Sequence, residues 1–144
     1  MKIASFNING VKARLPLVLD WLRETAPDVA ILQEIKSMDE GFPREAFEEL
    51  GYNVETHGQK GFNGVALVSK YPLEDVVQGL PGAAGAGREG VDDEEARYIE
   101  ATVVGERAVR IAGLYLPNGN PAPGPKYDYK LAWMERLRVR AAEL

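Results

Sequence analysis

Oxygen-bearing side chains stand just past the ends of several short apolar segments, and their types suit the binding of a hard cation. Asn7 and Asn9 follow Lys2–Phe6, Glu34 closes Val29–Leu32, and Tyr115 and Asn118 close the run that ends at Leu116. Ligands of open α/β sheets bind beyond the carboxyl ends of the strands, so neighbouring strands of this kind would bring these groups to one edge. A carboxylate with amide and phenol oxygens suits magnesium, which takes oxygen ligands, keeps several waters and adds phosphate oxygens. A metal held in that way can assist phosphodiester hydrolysis. The same spacing also suits a solvated glutamate preceding Ile35-Lys36, and composition alone leaves both readings open.

These groups need strands and helices to position them. Lys2–Phe6 is short, apolar and followed by Asn-Ile-Asn-Gly, the pattern of a strand entering a turn. Leu15, Val18, Leu19, Leu22 and Ala26 then recur at helical spacing, with Pro16 expected in the first turn and Pro27 as the stop. Val29–Leu32 reads as a buried strand and Pro43–Leu50 as a short helix closed by Gly51. Tyr52, Val54 and Thr56 alternate with polar residues, Gly64–Ser69 is continuously apolar, and Leu73–Leu80 follows as another strand. Pro81–Glu95, rich in glycine, alanine and acid, reads as a mobile surface loop with Asp92–Glu95 solvated. Arg97–Val104 and Arg107–Leu116 make a hairpin around Gly105-Glu106. Lys126–Leu144 places Trp133, Leu137 and Ala141 on one helical face.

Composition bounds the remainder. A chain of 144 residues suits one domain, and 45% hydrophobic with 27% charged residues is the balance of a globular protein. The absence of cysteine removes disulfides and thiolate metal sites, and makes a cytoplasmic location the expectation. No run approaches a membrane span, and Met-Lys-Ile-Ala-Ser-Phe-Asn lacks the apolar core of a secretion signal. The net charge of −5 argues weakly against nucleic acid, since phosphate contacts need Lys and Arg.

Ordered motifs carry a more specific signal. Lys2–Gly10 (KIASFNING) resembles the opening motif of the exonuclease III / abasic-site endonuclease family, and Pro27–Lys36 (PDVAILQEIK) resembles its second, PD-x-x-x-LQE-x-K. Gly51–Val54 with His57–Ala66 is similar to the third motif, and Tyr115–Gly119 (YLPNG) to the Y-x-P-N/Q motif. Lys126, Tyr129-Lys130 and Trp133 resemble the helix that follows. Several motifs in the right order are harder to meet by chance than any one of them.

The resemblance implies an α/β (α+β) fold: a four-layer sandwich of two mixed, mostly antiparallel sheets flanked by helices, each half of the chain supplying roughly one sheet. Residues 1–144 match the N-terminal part of one such domain, and the helical pattern running to Leu144 adds to the expectation of truncation. It implies that Glu34 and Asn7 hold a magnesium ion (manganese as the alternative), and that Tyr115 is the catalytic tyrosine at the scissile phosphate. Asn9, Lys36, Phe62, Asn63, Arg97 and Asn118 would face DNA, with Phe62 as a wedge at the minor groove. The implied activity is a DNA-repair nuclease on double-stranded DNA, cutting at abasic sites and removing nucleotides from 3′ ends. The family's GD-x-N and SDH motifs are absent, and His57, the one histidine, falls in the third motif. The isolated chain is therefore expected to be inactive. The alternatives are a non-catalytic DNA-binding module and another phosphodiesterase of the superfamily, acting on a phosphoinositide, a sphingolipid or RNA. Half a sandwich would also leave an apolar inner sheet face exposed, so self-association is expected.

Overall fold

The computed structural model describes residues 1–81 and 93–144. The chain opens with β1 (Ile3–Asn7), α1 (Val11–Thr25) and β2 (Val29–Gln33), and β1 pairs with β2 in parallel. A helical crossover is what a parallel neighbour requires. A 3-10 turn at Asp39–Gly41 and α2 (Arg44–Glu48) lead into β3 (Asn53–His57) and β4 (Val65–Ser69). These strands complete a four-stranded sheet of order β1-β2-β4-β3. Then β5 (Leu73–Gln78), β6 (Tyr98–Val104) and β7 (Ala108–Leu114) form a three-stranded antiparallel sheet, and α3 (Pro125–Glu143) closes the chain.

Strand alternation sorts the side chains into layers. Ala30, Leu32, Val54, Ala66 and Val68 point outward and pack with Val11, Val18 and Leu22 of α1 and Phe47 of α2. Val29, Val65 and Leu67 point inward and meet Ile99, Ala101, Val103 and Ile111 of the second sheet. Every residue of β4 is buried, which explains its unbroken apolar run. The sheets approach so closely at Gly113 that a Cβ there would lie 2.8 Å from Ile31 Cγ2. On the far side of the second sheet, Trp133 packs on Leu80 and Tyr98. Beneath α3, Glu100 is fully buried and accepts bonds from Arg110 Nε and Arg140 Nε, each at 2.7 Å, and from Tyr98 Oη at 3.1 Å.

The order α1/α2, sheet, sheet, α3 is four layers, and this chain supplies members of all four. The expected division of one sheet per half therefore needs correction, as does the expectation of a bare inner face. Strands β5 to β7 cover that face over β2, β3 and β4. Among the described residues β1 is the least covered strand of the first sheet, and Ile3 there is 49% exposed.

Three smaller expectations also change. Helix α1 starts at Val11, whose N–H donates to Ile35 O, so Pro16 lies inside the helix instead of in its first turn. Asp93 is not solvated: it accepts bonds from Tyr129 Oη at 2.7 Å and from the Arg136 guanidinium. Asp92 lies outside the described residues, as does most of the expected loop. Ala141 is exposed, so the buried face of α3 is carried by Trp133 with Tyr129 and Leu137. Among the described residues, no helix is long and apolar enough to cross a membrane.

Candidate active site

Backbone pairing carries on past the strand ends and ties four loops into one rim. After Asn7 and Gln33, Ile8 N donates to Gln33 O at 3.0 Å, and Gly10 N to Glu34 O at 2.7 Å. On the other side Ile35 N donates to Gly64 O at 3.3 Å, Lys36 N to Asn63 O at 3.0 Å, and Gly64 N to Ala96 O at 2.8 Å. The rim is conformationally costly. Asn9, Glu34, Lys36 and Asn63 all have left-handed backbone, with φ of 46°, 52°, 49° and 53°. Non-glycine residues in such conformations cluster where a site demands them. Gly64 is required by space as well as by its φ of 90°, because a Cβ would sit 2.5 Å from Ile35 Cγ1.

The rim brings Asn7, Glu34 and Tyr115 together. Tyr115 Oη donates to Glu34 Oε1 at 2.5 Å, across 81 residues of sequence. The Asn7 side chain also stabilises the carboxylate, and Lys36 Nζ lies 3.7 Å from Glu34 Oε2. Lys36 Nζ donates to Asn9 Oδ1 at 2.6 Å, and Asn9 N donates to Asn7 Oδ1 at 3.2 Å. The Tyr115 bond, then the Asn7 amide, hold the Glu34 carboxyl below its ordinary range; burial opposes them and Lys36 adds to them. The same bond to Glu34, with burial, raises the Tyr115 phenol, while Arg97 pulls it down. At neutral pH the pair is a carboxylate holding a phenolic proton.

A second group lines the adjoining depression, of about 400 Å³, formed by Phe62, Asn63, Arg97, Pro117, Asn118 and Lys126 with neighbouring residues. Phe62 is 71% exposed at its mouth. Arg97 links the two groups. Its Nε donates to Glu95 Oε2 at 3.0 Å, its guanidinium donates to Tyr115 O at 3.3 Å, and it lies 5.0 Å from the Tyr115 ring centroid. Asn118 is exposed, and its Oδ1 accepts from Asn120 Nδ2 at 2.6 Å.

Sequence reasoning overlooked Gln59. Its Oε1 accepts from Ala96 N at 2.6 Å and from Asn63 Nδ2 at 3.1 Å, fastening the Phe62 loop to the start of β6. The signal was the motif around it, but a polar residue between glycine and lysine reads simply as a turn. His57 lines a separate cavity with Trp133 and Gln78, where burial lowers its pKa. Among the described residues, no group of three or more His, Cys, Asp and Glu could hold a metal. The donors at hand are the Glu34 carboxylate and the Asn7 amide, a set that fits a hard ion keeping most of its waters. Lys36, Arg97 and Lys126 stand at the rim and its depression together with Glu34 and Glu95, while Asp39, Glu40, Glu45, Glu48 and Glu49 gather around α2 with Arg44.

Comparison with known proteins shows what the chain is similar to. The model of the Endonuclease/Exonuclease/phosphatase family matches residues 4–144. Exodeoxyribonuclease III of Haemophilus influenzae is 49% identical over 81 residues, which are 56% of this chain and 30% of that protein. An AP endonuclease structure from Archaeoglobus fulgidus, 39% identical, superposes with a TM-score of 0.81 over 95% of this chain and 49% of its own. The 3′ phosphatase from Neisseria, solved with product DNA hairpin, is 38% identical with a TM-score of 0.84, over 95% and 49% respectively. The chain thus spans about half the length of these structures and less than a third of the curated relative.

Proposed function

The chain belongs to the Endonuclease/Exonuclease/phosphatase family, and from that premise we propose that it carries the metal-binding and phosphate-facing part of a magnesium-dependent DNA-repair nuclease. The substrate is double-stranded DNA, attacked at abasic sites and at 3′ ends, with manganese as the alternative ion. One observation carries the reading: Tyr115 Oη meets Glu34 Oε1 at 2.5 Å, uniting residues from two sequence motifs in one ionised site. DNA-directed relatives of similar fold support the substrate class.

Each residue then has a role. Glu34 and Asn7 hold the ion, which when bound would neutralise charge on the phosphate. Tyr115, whose phenol now donates to Glu34, would offer that proton as a donor to a phosphate oxygen. Asn9 and Lys36 hold the near edge, and Lys36 supplies positive charge to the backbone. Asn63, Asn118 and Arg97 line the strand path, while Arg97 also steadies the Tyr115 ring. Phe62, exposed at the mouth, is the wedge beside a lesion. Among the described residues the cluster holds one carboxylate and no histidine, so we assign it metal and phosphate binding and not the activation of water or the protonation of the leaving oxygen.

The test is a duplex oligonucleotide carrying one abasic-site analogue, with magnesium and with chelator, beside Glu34→Ala. We expect magnesium-dependent binding that Glu34→Ala weakens, without incision by the chain alone. Binding indifferent to both chelator and Glu34→Ala would overturn the metal-site reading. Incision by the wild-type chain would overturn its incompleteness and keep the rest.

A further inference from the structure

Asparagine followed by glycine is the dipeptide at which a protein chain most readily attacks itself. The glycine carries no side chain to keep its backbone nitrogen away from the asparagine Cγ. The chain has three such pairs, Asn9-Gly10, Asn63-Gly64 and Asn118-Gly119, and all three stand at the rim or its depression. The turns there demand them: Asn9 and Asn63 are left-handed, and Gly10, Gly64 and Gly119 have φ of 100°, 90° and 76°.

The three pairs are not equally protected. Gly10 N donates to Glu34 O at 2.7 Å, and Gly64 N to Ala96 O at 2.8 Å. A nitrogen fixed in this way cannot turn onto the preceding side chain without breaking its bond. Among the described residues, no carbonyl or side chain accepts from Gly119 N. Exposure does not separate the pairs, since Asn9 and Asn118 are both exposed. Side-chain bonding does not either: Asn9 Oδ1 accepts from Lys36 Nζ and Asn118 Oδ1 from Asn120 Nδ2, each at 2.6 Å. Gly119 is buried under the stem of Lys130, where an added Cβ would come within 2.6 Å of Cδ. That cover is a flexible side chain that a rotamer change lifts. The bonds on Gly10 and Gly64 belong to the rim itself.

We propose that Asn118 is a self-modification site, at which the folded chain turns an amide of its depression into a carboxylate. Gly119 N gives its proton to water and bonds to Asn118 Cγ. The bond from Cγ to the side-chain nitrogen breaks, and that nitrogen takes up a proton and leaves as ammonia. Water then adds to either carbonyl of the five-membered succinimide and opens it to aspartate or isoaspartate. Water is the one co-reactant, and nothing is oxidised or reduced. The product places a negative charge in the depression that Arg97 and Lys126 also line. A phosphate must then compete with that carboxylate for these cations. The effect on DNA rests on the functional reading above; the modification does not.

The experiment incubates the chain in warm, mildly alkaline buffer, folded and in urea, and follows each asparagine by peptide mass spectrometry without metal or DNA. In the folded chain Asn118 should convert at least about tenfold faster than Asn9 or Asn63, the factor that one hydrogen bond of typical net strength supplies. In urea the three rates should converge. Asn118 no faster than the other two in the folded chain, or the same lead kept in urea, would overturn the proposal. Asn118→Asp and the aged wild type are then titrated with the abasic-site duplex. Asn118→Asp should bind about fivefold more weakly at low salt, the effect of a unit charge some 4 Å from a phosphate in water. Added salt should narrow the gap. The aged wild type should weaken in step with its converted fraction. Asn118→Gln, whose longer side chain closes a ring far more slowly, should keep its own starting affinity through the incubation. Equal binding by aged and fresh wild type would overturn the consequence for DNA. A chain that converts at Asn118 but never binds duplex would overturn the functional reading and uphold the modification site, so the two can fail separately.

Discussion

Replacing Tyr115 by phenylalanine removes one oxygen and keeps the ring. Arg97 can still lie over it, and its bond to the Tyr115 carbonyl is untouched. What is lost is the 2.5 Å bond to Glu34. Hydrogen bonds to charged groups contribute about 1.5–3 kcal/mol. Glu34 keeps Asn7 and Lys36, and its side chain is 22% exposed, so water can replace part of the loss. The lower end, about 1.5 kcal/mol, is the expectation. In a domain of this size that is roughly 2–5 °C in Tm at neutral pH. The loss also has a pH signature. Glu34 titrates below its ordinary 4.5, chiefly because of this bond. A depressed carboxyl stabilises the fold above its unfolded pKa, and that stability disappears as pH falls through the folded value. The gap between wild type and Tyr115→Phe should therefore be full at pH 7 and shrink once pH drops below the ordinary value of 4.5. Thermal melts across pH, with the Glu34 side-chain carbon followed by NMR, read both effects. Equal melting temperatures at pH 7, with an unmoved Glu34 titration, would refute the bond and the reasoning built on it.

Other perturbations reach the supports of the site. Gly64→Ala puts a Cβ 2.5 Å from Ile35 Cγ1 at a φ of 90°, and should cost at least about 2 kcal/mol by chemical denaturation. A change within error would mean that the rim is looser than described. Glu100→Gln leaves Arg110 and Arg140 around a neutral group in a fully buried place, and should cost about 3–5 kcal/mol and loosen α3. Burial pushes Glu100 up, but bonds from Arg140, Arg110 and Tyr98 together bring it below its ordinary 4.5. By the sign argument used for Glu34, the fold should lose stability as pH falls below that value, and Glu100→Gln should flatten the acid limb of the stability curve. An unchanged limb would remove Glu100 from the account.

Much of this arrangement was legible in the sequence, and the omissions have physical causes. Strands β1 to β7 were readable because alternation and apolar runs are local, as in Val65–Ser69. Glu34 and Tyr115 stood out as polar residues at strand ends, but no spacing rule reveals a contact across 81 residues. The pairing of sheets was misjudged for a similar reason. Nothing in Ile99, Ala101 and Val103 says that their partner is β4 of the same chain instead of another half. Pro16 was placed at a helix start by its own preference, whereas the start was fixed by the bond from Val11 to Ile35. Asp93 looked solvated because its partners, Tyr129 and Arg136, come from a helix more than thirty residues away.

The most direct test of the central claim is the effect of dilute manganese on the NMR spectrum of the chain, since paramagnetic broadening marks residues close to the bound ion. The account predicts broadening centred on Asn7, Glu34 and Tyr115, displaced by magnesium and abolished in Glu34→Ala. Broadening confined to the acidic surface around α2, or unchanged in Glu34→Ala, would contradict it.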